Sequence, residues 1–202
     1  MFLDDQPKLG LRERKKLKTR ETIQQNAVRL FRDQGYQETT IEQIADQSDV
    51  SPSTVFRYFP TKEAIVLQDE FDPLLMAYYR KQPPELSPIQ AFRRTVKEAS
   101  EIITAEERRA IRERTELIMS VPELRAANMS QYSDTLLMIA GLIAERVGRE
   151  SEDLVVLGLA GSIVGAILGA HIYCSMNAEA DYVETIERTI EQFEEGFQFQ
   201  NE

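Results

Sequence analysis

Residues 40–59, TIEQIADQSDVSPSTVFRYF, decide the fold of this chain. Thr40 is placed to cap a short helix, and Gln43 three residues later completes a capping box. Ser51 begins a second short helix, in which Pro52 takes the first position because its missing N–H is not needed there. Two short helices joined by a turn of three to four residues form the helix-turn-helix pattern, whose second helix enters the major groove of DNA.

The spacing within the second helix separates a buried face from an exposed one. Val55 and Phe59 lie one turn apart and are predicted to face the core, whereas Ser53, Phe56 and Arg57 share the opposite face. Arg57 there suits a forked pair of hydrogen bonds to guanine, and Phe56 suits contact with a thymine methyl group. Ser53, near the positive end of the helix, suits a base or a phosphate. A short capped helix with a purely structural role shows the same pattern, so that alternative stays open.

The rest of the chain also favours helices. Apolar residues recur every three or four positions, and neither an alternating strand pattern nor an Asn-Gly or Asp-Gly turn occurs. A first helix is predicted from about Arg14 to Gln34, with Gly35 as its stop, and another begins at Thr61. Later helices are predicted over 74–81, 88–103, 105–119, 123–147, 152–176 and 180–198. The predicted fold is all-α, with about nine to ten helices.

Charge is distributed unevenly along the chain. The formal net charge is -10, yet 11 of the 24 Lys and Arg residues lie within residues 1–62. They are densest from Lys8 to Arg20, a run that includes Lys15 and Lys16. Such a run is commonly a solvated arm, but next to a helix-turn-helix it favours contact with DNA. The acidic remainder limits indiscriminate binding to nucleic acid.

The stretch from Thr22 to Leu67, TIQQNAVRLFRDQGYQETTIEQIADQSDVSPSTVFRYFPTKEAIVL, resembles the DNA-binding region of the TetR/AcrR family of transcription regulators. It departs from the family pattern at Asp49, where a turn glycine is usual, and at Phe56, where tyrosine is usual. Asp tolerates the left-handed turn, whereas Phe56 lacks a hydroxyl that customarily contacts phosphate. The resemblance implies backbone contacts by Thr40, Ser51, Tyr58 and Lys62, and contacts at or beside the bases by Ser53, Thr54, Phe56 and Arg57.

Residues 112–148 are similar to a TetR subgroup, the MftR-like C-terminal domains, whose ligands are described as acyl-CoA-like. The similarity implies a pocket for a small apolar or acyl ligand, with an arginine near its mouth. The residues assigned to it are Arg112, Leu117, Met119, Tyr132, Leu136 and Ile139. Ordinary helix core produces the same apolar stripe, and that alternative also stays open.

Residues 154–174, LVVLGLAGSIVGAILGAHIYC, contain no acidic residue, Lys or Arg and are long enough to span a bilayer. Acidic residues flank the segment on both sides and no basic cluster does, which argues against a membrane span. The family resemblance instead implies that this helix and the next pair with their mates across a two-fold axis. The predicted dimer interface comprises Gly161, Gly165, Gly169, His171, Ile186, Ile190 and Phe193.

Little in the sequence supports catalysis. His171 and Cys174 are the only residues of their types, and two ligands do not make a zinc site. A single cysteine forms no internal disulfide, and no nucleophile-elbow pattern occurs. We therefore expect no enzymatic activity, no metal and no cofactor, and a cytoplasmic location.

These observations predict a DNA-binding domain with a basic arm over 1–65 and a helical domain for ligand binding and dimerisation over 66–202. The predicted function is a repressor that binds a near-palindromic operator as a homodimer and is released by a small apolar or acyl ligand. One alternative is a helical acyl-binding protein or enzyme whose helix-turn-helix is only structural. A second is a regulator anchored in a membrane.

Overall fold

The computed structural model describes residues 10–68, 71–177 and 179–196, and over these ranges the chain is helical with no strand. Lys8, and the last residues of the helix predicted to reach 198, lie outside the described residues. The helices are α1 (Leu11–Gln34), α2 (Ile41–Gln47), α3 (Pro52–Tyr58), α4 (Lys62–Leu67), α5 (Phe71–Lys81), α6 (Pro88–Ile102), α7 (Ala105–Ser120), α8 (Pro122–Val147), α9 (Leu154–Met176) and α10 (Tyr182–Glu195). The predicted all-α fold is confirmed.

The first helix is longer than predicted. It begins at Leu11 rather than near Arg14, so Lys15 and Lys16 belong to its exposed first turns. Gly35 ends it with a φ of 96°, and its N–H donates to the Phe31 carbonyl. A positive φ suits glycine, which carries no Cβ, so this residue is the predicted stop.

The helix-turn-helix forms through the local signals seen in the sequence. The Thr40 hydroxyl accepts from the Gln43 N–H at 3.2 Å, and the Gln43 side chain accepts from the Thr40 N–H at 2.8 Å. Asp49 takes a φ of 54° in the turn, the left-handed conformation in which glycine is usual. Ser51 caps α3 by accepting from the Thr54 N–H. The capping box and the left-handed turn are therefore both present.

The chain divides into two compact units, residues 1–69 with 116–127, and residues 70–115 with 128–202. The first unit encloses one apolar core built from α1 to α4. The buried side chains that complete it from the end of α7 and the start of α8 are Leu117, Ile118 and Leu124. The second domain was predicted to comprise all of 66–202, whereas 116–127 packs with the first unit because these side chains are buried in its core. A fully buried leucine of this kind contributes about 1.5–3 kcal/mol.

The second unit contains three smaller apolar clusters. One joins α8 to α9 and includes Ile139, Ala160 and Ile163. Another joins α6, α9 and α10, where Ile190 is fully buried against Val96 and Ala166. The α10 stripe of Ile186, Ile190 and Phe193 therefore packs within its own protomer.

Candidate functional site

The exposed face of α3 is the centre of the candidate nucleic-acid site. Val55 and Phe59 are fully buried, and Ser53, Phe56 and Arg57 on the opposite side of the helix are exposed to solvent. The Phe56 ring is 51% exposed, so it can contact a partner at this surface. The structure thus presents these three side chains outward, as their spacing predicts.

A groove lined by basic residues lies between α1 and α3. The residues that line it are Arg12, Lys15, Lys16, Thr19, Arg57 and Tyr58. Four of the six are cations and none is acidic, so the groove attracts anions. The Arg57 guanidinium also lies 5.6 Å from the centre of the Tyr58 ring, which restricts its orientation. The basic arm and the exposed face of α3 therefore form one continuous positive surface.

Arg12 and Thr19 were not among the predicted DNA-contact residues. The sequence could have predicted both, because positions 12, 15, 16 and 19 are spaced i, i+3, i+4 and i+7 and therefore share one helix face. The predicted start of α1 near Arg14 hid this pattern. Because α1 begins at Leu11, all four positions belong to this helix and line the groove beside α3.

Hydroxyl groups gather at the start of α3. The Ser51 Oγ lies 2.9 Å from the hydroxyls of both Ser53 and Thr54. Ser51, Ser53 and the cap of α2, Thr40, are exposed, while Thr54 is half-buried. All four are polar and reachable at the surface, and their contacts with phosphates or bases remain predictions.

Lys62 occupies a different environment from the other predicted phosphate contacts. Its ammonium donates to the Tyr36 carbonyl and lies 4.3 Å from the centre of the Tyr36 ring. Burial lowers the pKa of Lys62 below its ordinary value. The Tyr36 hydroxyl in turn donates to Glu63 at 3.0 Å, and burial raises the pKa of this tyrosine. Lys62 thus ties α4 to the end of α1, and its contact with phosphate remains a prediction.

The residues predicted to line the ligand pocket do not lie together but are divided between the two units. Leu117 is buried in the core of the first unit and Met119 packs against that core. Tyr132, Leu136 and Ile139 all belong to the apolar cluster between α8 and α9 in the second unit. Arg112 is exposed on α7. Because Leu117 and Met119 serve the packing of the first unit, a pocket hypothesis rests on the three residues of α8.

His171, which was predicted at a dimer interface, makes several contacts within its own protomer, and its place at an interface remains a prediction. Its Nδ1 lies 2.8 Å from the Tyr132 hydroxyl and 3.4 Å from that of Tyr182, whose ring centre is 4.5 Å from the imidazole centre. Asn128 donates to the Tyr132 hydroxyl at 3.2 Å. Burial, and next the charge of Arg114, lower the pKa of His171 to about 4. The ring is therefore neutral at pH 7 and joins α8, α9 and α10 inside the protomer.

This environment predicts a loss of stability on mild acidification. In the unfolded chain His171 takes up a proton near pH 6.5, whereas the folded protein keeps it neutral down to about pH 4. The contribution of the neutral His171 to the free energy of unfolding is therefore complete above pH 6.5 and is lost as the pH falls toward 4. We expect it to remove about 2 kcal/mol from the free energy of unfolding between pH 7 and pH 5.

Urea denaturation at fixed protein concentration measures this effect, with His171→Gln as the matched variant. His171 is the only histidine, so no other imidazole titrates in this range. The variant should lose less stability than the wild type between pH 7 and pH 5. Parallel losses in the two proteins would contradict the assignment.

One face of α9 is apolar and uncovered. The large side chains exposed along it in the protomer are Leu154, Val155, Ile172, Tyr173 and Met176. Gly165 and Gly169 lie on the exposed side as well, and Gly161 is half-buried. The structure thus leaves on α9 an apolar surface rich in small residues, of the kind that allows helices to approach closely.

Helix α9 also passes a simple test for a membrane span. Among the described residues it is the one helix with the required length and composition, with a mean hydropathy of 2.1 in its most apolar window. A third of that window is buried inside the protein. Core helices of soluble proteins pass the same test, so this property alone is weak evidence for a membrane.

The described residues contain no group of three or more His, Cys, Asp or Glu side chains that would hold a metal ion. Cys174 is half-buried, and its thiol lies 3.7 Å from the Thr185 hydroxyl. Burial raises the pKa of this thiol, which disfavours the reactive thiolate. The expectation of no enzymatic activity remains a prediction.

The fold and the exposed face of α3 define a helix-turn-helix DNA-binding regulator, and family models agree. The model of bacterial regulatory proteins of the tetR family matches residues 23–68. The model of the MftR C-terminal domain matches residues 86–198, more than half of the chain. This protein belongs to the TetR family of transcription regulators and carries a C-terminal domain of the MftR type.

Individual relatives extend over different parts of the chain. The transcriptional regulator TcmR of Streptomyces glaucescens is 40% identical over 85 residues, which cover 41% of this chain and only 38% of TcmR. The Mycobacterium tuberculosis regulator MftR is 26% identical over 160 residues, covering 78% of this chain and 80% of MftR. The TetR-family repressor FadR of Thermus thermophilus, solved with lauroyl-CoA, aligns with a TM-score of 0.54 and 25% identity over 91% of this chain and 97% of FadR.

Proposed function

We propose that this protein is a repressor that binds a near-palindromic operator as a homodimer and is released by a small apolar or acyl ligand. The observation that carries the DNA-binding part is the exposed face of α3 beside a groove with four cations. The Arg57 guanidinium can donate two hydrogen bonds to a base edge in the major groove, and the Phe56 ring can contact a thymine methyl group. Cations along the adjoining groove match the phosphate backbone.

The proposal divides the contacts by chemistry. Arg57, Phe56 and Ser53 face the bases, because they occupy the exposed side of α3. Lys15 and Lys16 contact phosphates, because they are exposed along α1 on the same groove. The remaining proposed contacts, mostly to the backbone, are Thr40, Ser51, Thr54, Tyr58 and Lys62. Two such surfaces roughly 34–36 Å apart in a dimer would enter successive major grooves.

For dimerisation we propose the exposed face of α9. Its small residues, Gly161, Gly165 and Gly169, lie between exposed apolar side chains at both ends of the helix. Pairing two copies of this face would remove apolar surface from water, which supports association. The burial of Ile190 inside the protomer removes it from the interface, and we keep α9 as the principal contact. Covering this face also accounts for the hydropathy of α9 without a membrane, which supports a cytoplasmic location.

The proposed ligand site lies in the second unit. Tyr132, Leu136 and Ile139 supply an apolar wall on α8, and Phe92 of α6 packs against the same cluster. FadR of Thermus thermophilus was solved with lauroyl-CoA and aligns with 91% of this chain. We infer an acyl ligand, which releases the operator only if it binds the DNA-free form more tightly.

Selection from a random pool of double-stranded DNA tests the proposed function, and salt titration locates the phosphate contacts. The wild type should select near-palindromic sites. The double variant Lys15→Ala/Lys16→Ala should bind every sequence more weakly and reduce the slope of log K against log salt by about 2 per protomer. Base preferences should stay unchanged, because phosphates carry no sequence information.

The matched control is Lys97→Ala, which removes an exposed lysine of α6 in the second unit. It should leave both the affinity and the salt slope at wild-type values. Selection of no common sequence by the wild type would overturn the regulator proposal, and an unchanged salt slope in the double variant would remove the arm from the interface.

A further inference from the structure

The hydroxyl of Tyr79 is buried without a partner. Tyr79 lies on α5 and is 2% exposed, and its oxygen makes no hydrogen bond to any part of the chain that the structure describes. A buried hydroxyl left unpaired costs about 1–3 kcal/mol, so proteins rarely keep one unless something else satisfies it. The second unit therefore holds a buried polar group that finds no partner among the described residues.

Apolar side chains surround this tyrosine. Ala91 and Leu142 are buried with it, and Met76, Leu86 and Phe92 pack against them. The centres of the Tyr79 and Phe92 rings are 6.4 Å apart. Phe92 also packs against the cluster of α8 and α9 that contains Tyr132, Leu136 and Ile139. An apolar region thus continues from Tyr79 through Phe92 to the wall proposed for the acyl chain.

Arg146 lies close to Tyr79 but is occupied elsewhere. Its guanidinium carbon lies 5.5 Å from the centre of the Tyr79 ring. Its N–H groups donate to the backbone carbonyls of Leu86 at 3.0 Å, of Gln82, and of Pro83. Arg146 therefore holds the segment between α5 and α6 in place and leaves the tyrosine hydroxyl unpaired.

Two other polar groups of the second unit that lie near apolar side chains, Tyr132 and Gln82, have partners. The Tyr132 hydroxyl lies within hydrogen-bonding distance of His171 and accepts from Asn128. Gln82, which is also buried, donates to Glu98 at 2.8 Å. These pairs need no ligand to satisfy them, and within the described part of the second unit Tyr79 is the buried side chain left without a partner.

We propose that the Tyr79 hydroxyl donates a hydrogen bond to an uncharged carbonyl oxygen of the bound ligand, as in a thioester or an ester. This inference rests on the proposed function, since it names the polar anchor of the same ligand site. Burial, only partly offset by Arg146, raises the pKa of Tyr79 to about 12, so the group remains a donor at all physiological pH values. A carboxylate would be costly among these apolar side chains, whereas a neutral carbonyl is not.

Two coenzyme A derivatives of equal chain length test the proposal. Lauroyl-CoA carries a thioester carbonyl, and S-dodecyl-CoA, its thioether, has a methylene group in that place. Isothermal titration calorimetry should show the wild type binding lauroyl-CoA about three- to ten-fold more tightly than the thioether. Tyr79→Phe should bind the two probes equally.

The unliganded variants supply a second readout. Tyr79→Phe should melt at the same temperature as the wild type or higher, because it removes an unsatisfied buried hydroxyl without changing the ring. The matched control is Tyr78→Phe, the neighbouring half-buried tyrosine, whose ring faces the Lys81 ammonium at 5.6 Å. It should keep the wild-type preference for the carbonyl.

The failures of the two proposals are distinguishable. If the wild type binds neither probe, acyl-CoA ligands are excluded, and the Tyr79 assignment falls with them. If wild type and Tyr79→Phe bind lauroyl-CoA with the same preference over the thioether, the acyl site stands and the role of Tyr79 is overturned. A large drop in the melting temperature of unliganded Tyr79→Phe would also overturn it, because the hydroxyl would then have a structural partner.

Discussion

Replacing Gly165 with glutamate should convert the protein from dimers into monomers. Gly165 lies on the exposed side of α9, and a Cβ added there meets no atom of the protomer within 4 Å. The protomer therefore has room for the new side chain, whereas the proposed interface would bury two like charges close together. Burying an unpaired carboxylate costs several kcal/mol per ion, which disfavours the dimer.

Loss of the dimer should reach the DNA as well. A dimer places two reading surfaces on one operator, and the second binds at a high effective concentration once the first is in place. We expect operator affinity to fall roughly 100-fold or more in the Gly165→Glu variant. Analytical ultracentrifugation measures the dimer, and a gel-shift titration on the selected operator measures the affinity.

Gly141→Glu is the matched control, because it places the same side chain at a helical glycine of α8 that also has open space at its Cβ. It should remain a dimer with wild-type affinity. A Gly165→Glu protein that still sediments as a dimer would move the interface away from α9. Circular dichroism on both variants checks that the protomer stays folded.

Arg57→Ala should weaken operator binding by about 1–3 kcal/mol for each half-site, which doubles across a symmetric dimer. Arg57 is exposed on α3, lines the basic groove and lies against the Tyr58 ring. A guanidinium held in this way matches the two acceptors of guanine in the major groove. The loss should be accompanied by relaxed preference at one base pair per half-site.

Arg57→Lys separates the effect of the paired guanidinium donors from the effect of the positive charge. Lysine keeps the positive charge but lacks the planar pair of donors, so it should retain the salt dependence and still lose preference at that base pair. Repeating the selection from random DNA with each variant measures both effects. If the two variants select the wild-type operator with wild-type affinity, Arg57 does not contact a base.

Local signals in the sequence determined the DNA-binding elements. The capping box of Thr40, the cap at Ser51 followed by Pro52, and the left-handed Asp49 all act on backbone within a few residues. Such signals can be found in the sequence, because the groups that they satisfy are close along the chain. The exposed side of α3 could also be predicted, since helical spacing alone places Arg57 on the face opposite Val55.

The sequence determined the second unit less completely. Its helices could be located by their apolar periodicity, and their observed bounds agree closely with those predicted. Helix α9, however, is apolar on all sides, so periodicity gave no direction for His171 or Gly165. Periodicity shows which positions of a helix are buried, and it does not show against which partner.

Tertiary structure alone decided which partners these side chains met. It buried Leu117 and Leu124 in the core of the first unit, and Ile190 among α6, α9 and α10. It set His171 beside Tyr132 and left the Tyr79 hydroxyl enclosed without a partner. These outcomes depend on contacts between residues far apart in the chain, where packing and desolvation rather than local propensity determine the lowest free energy.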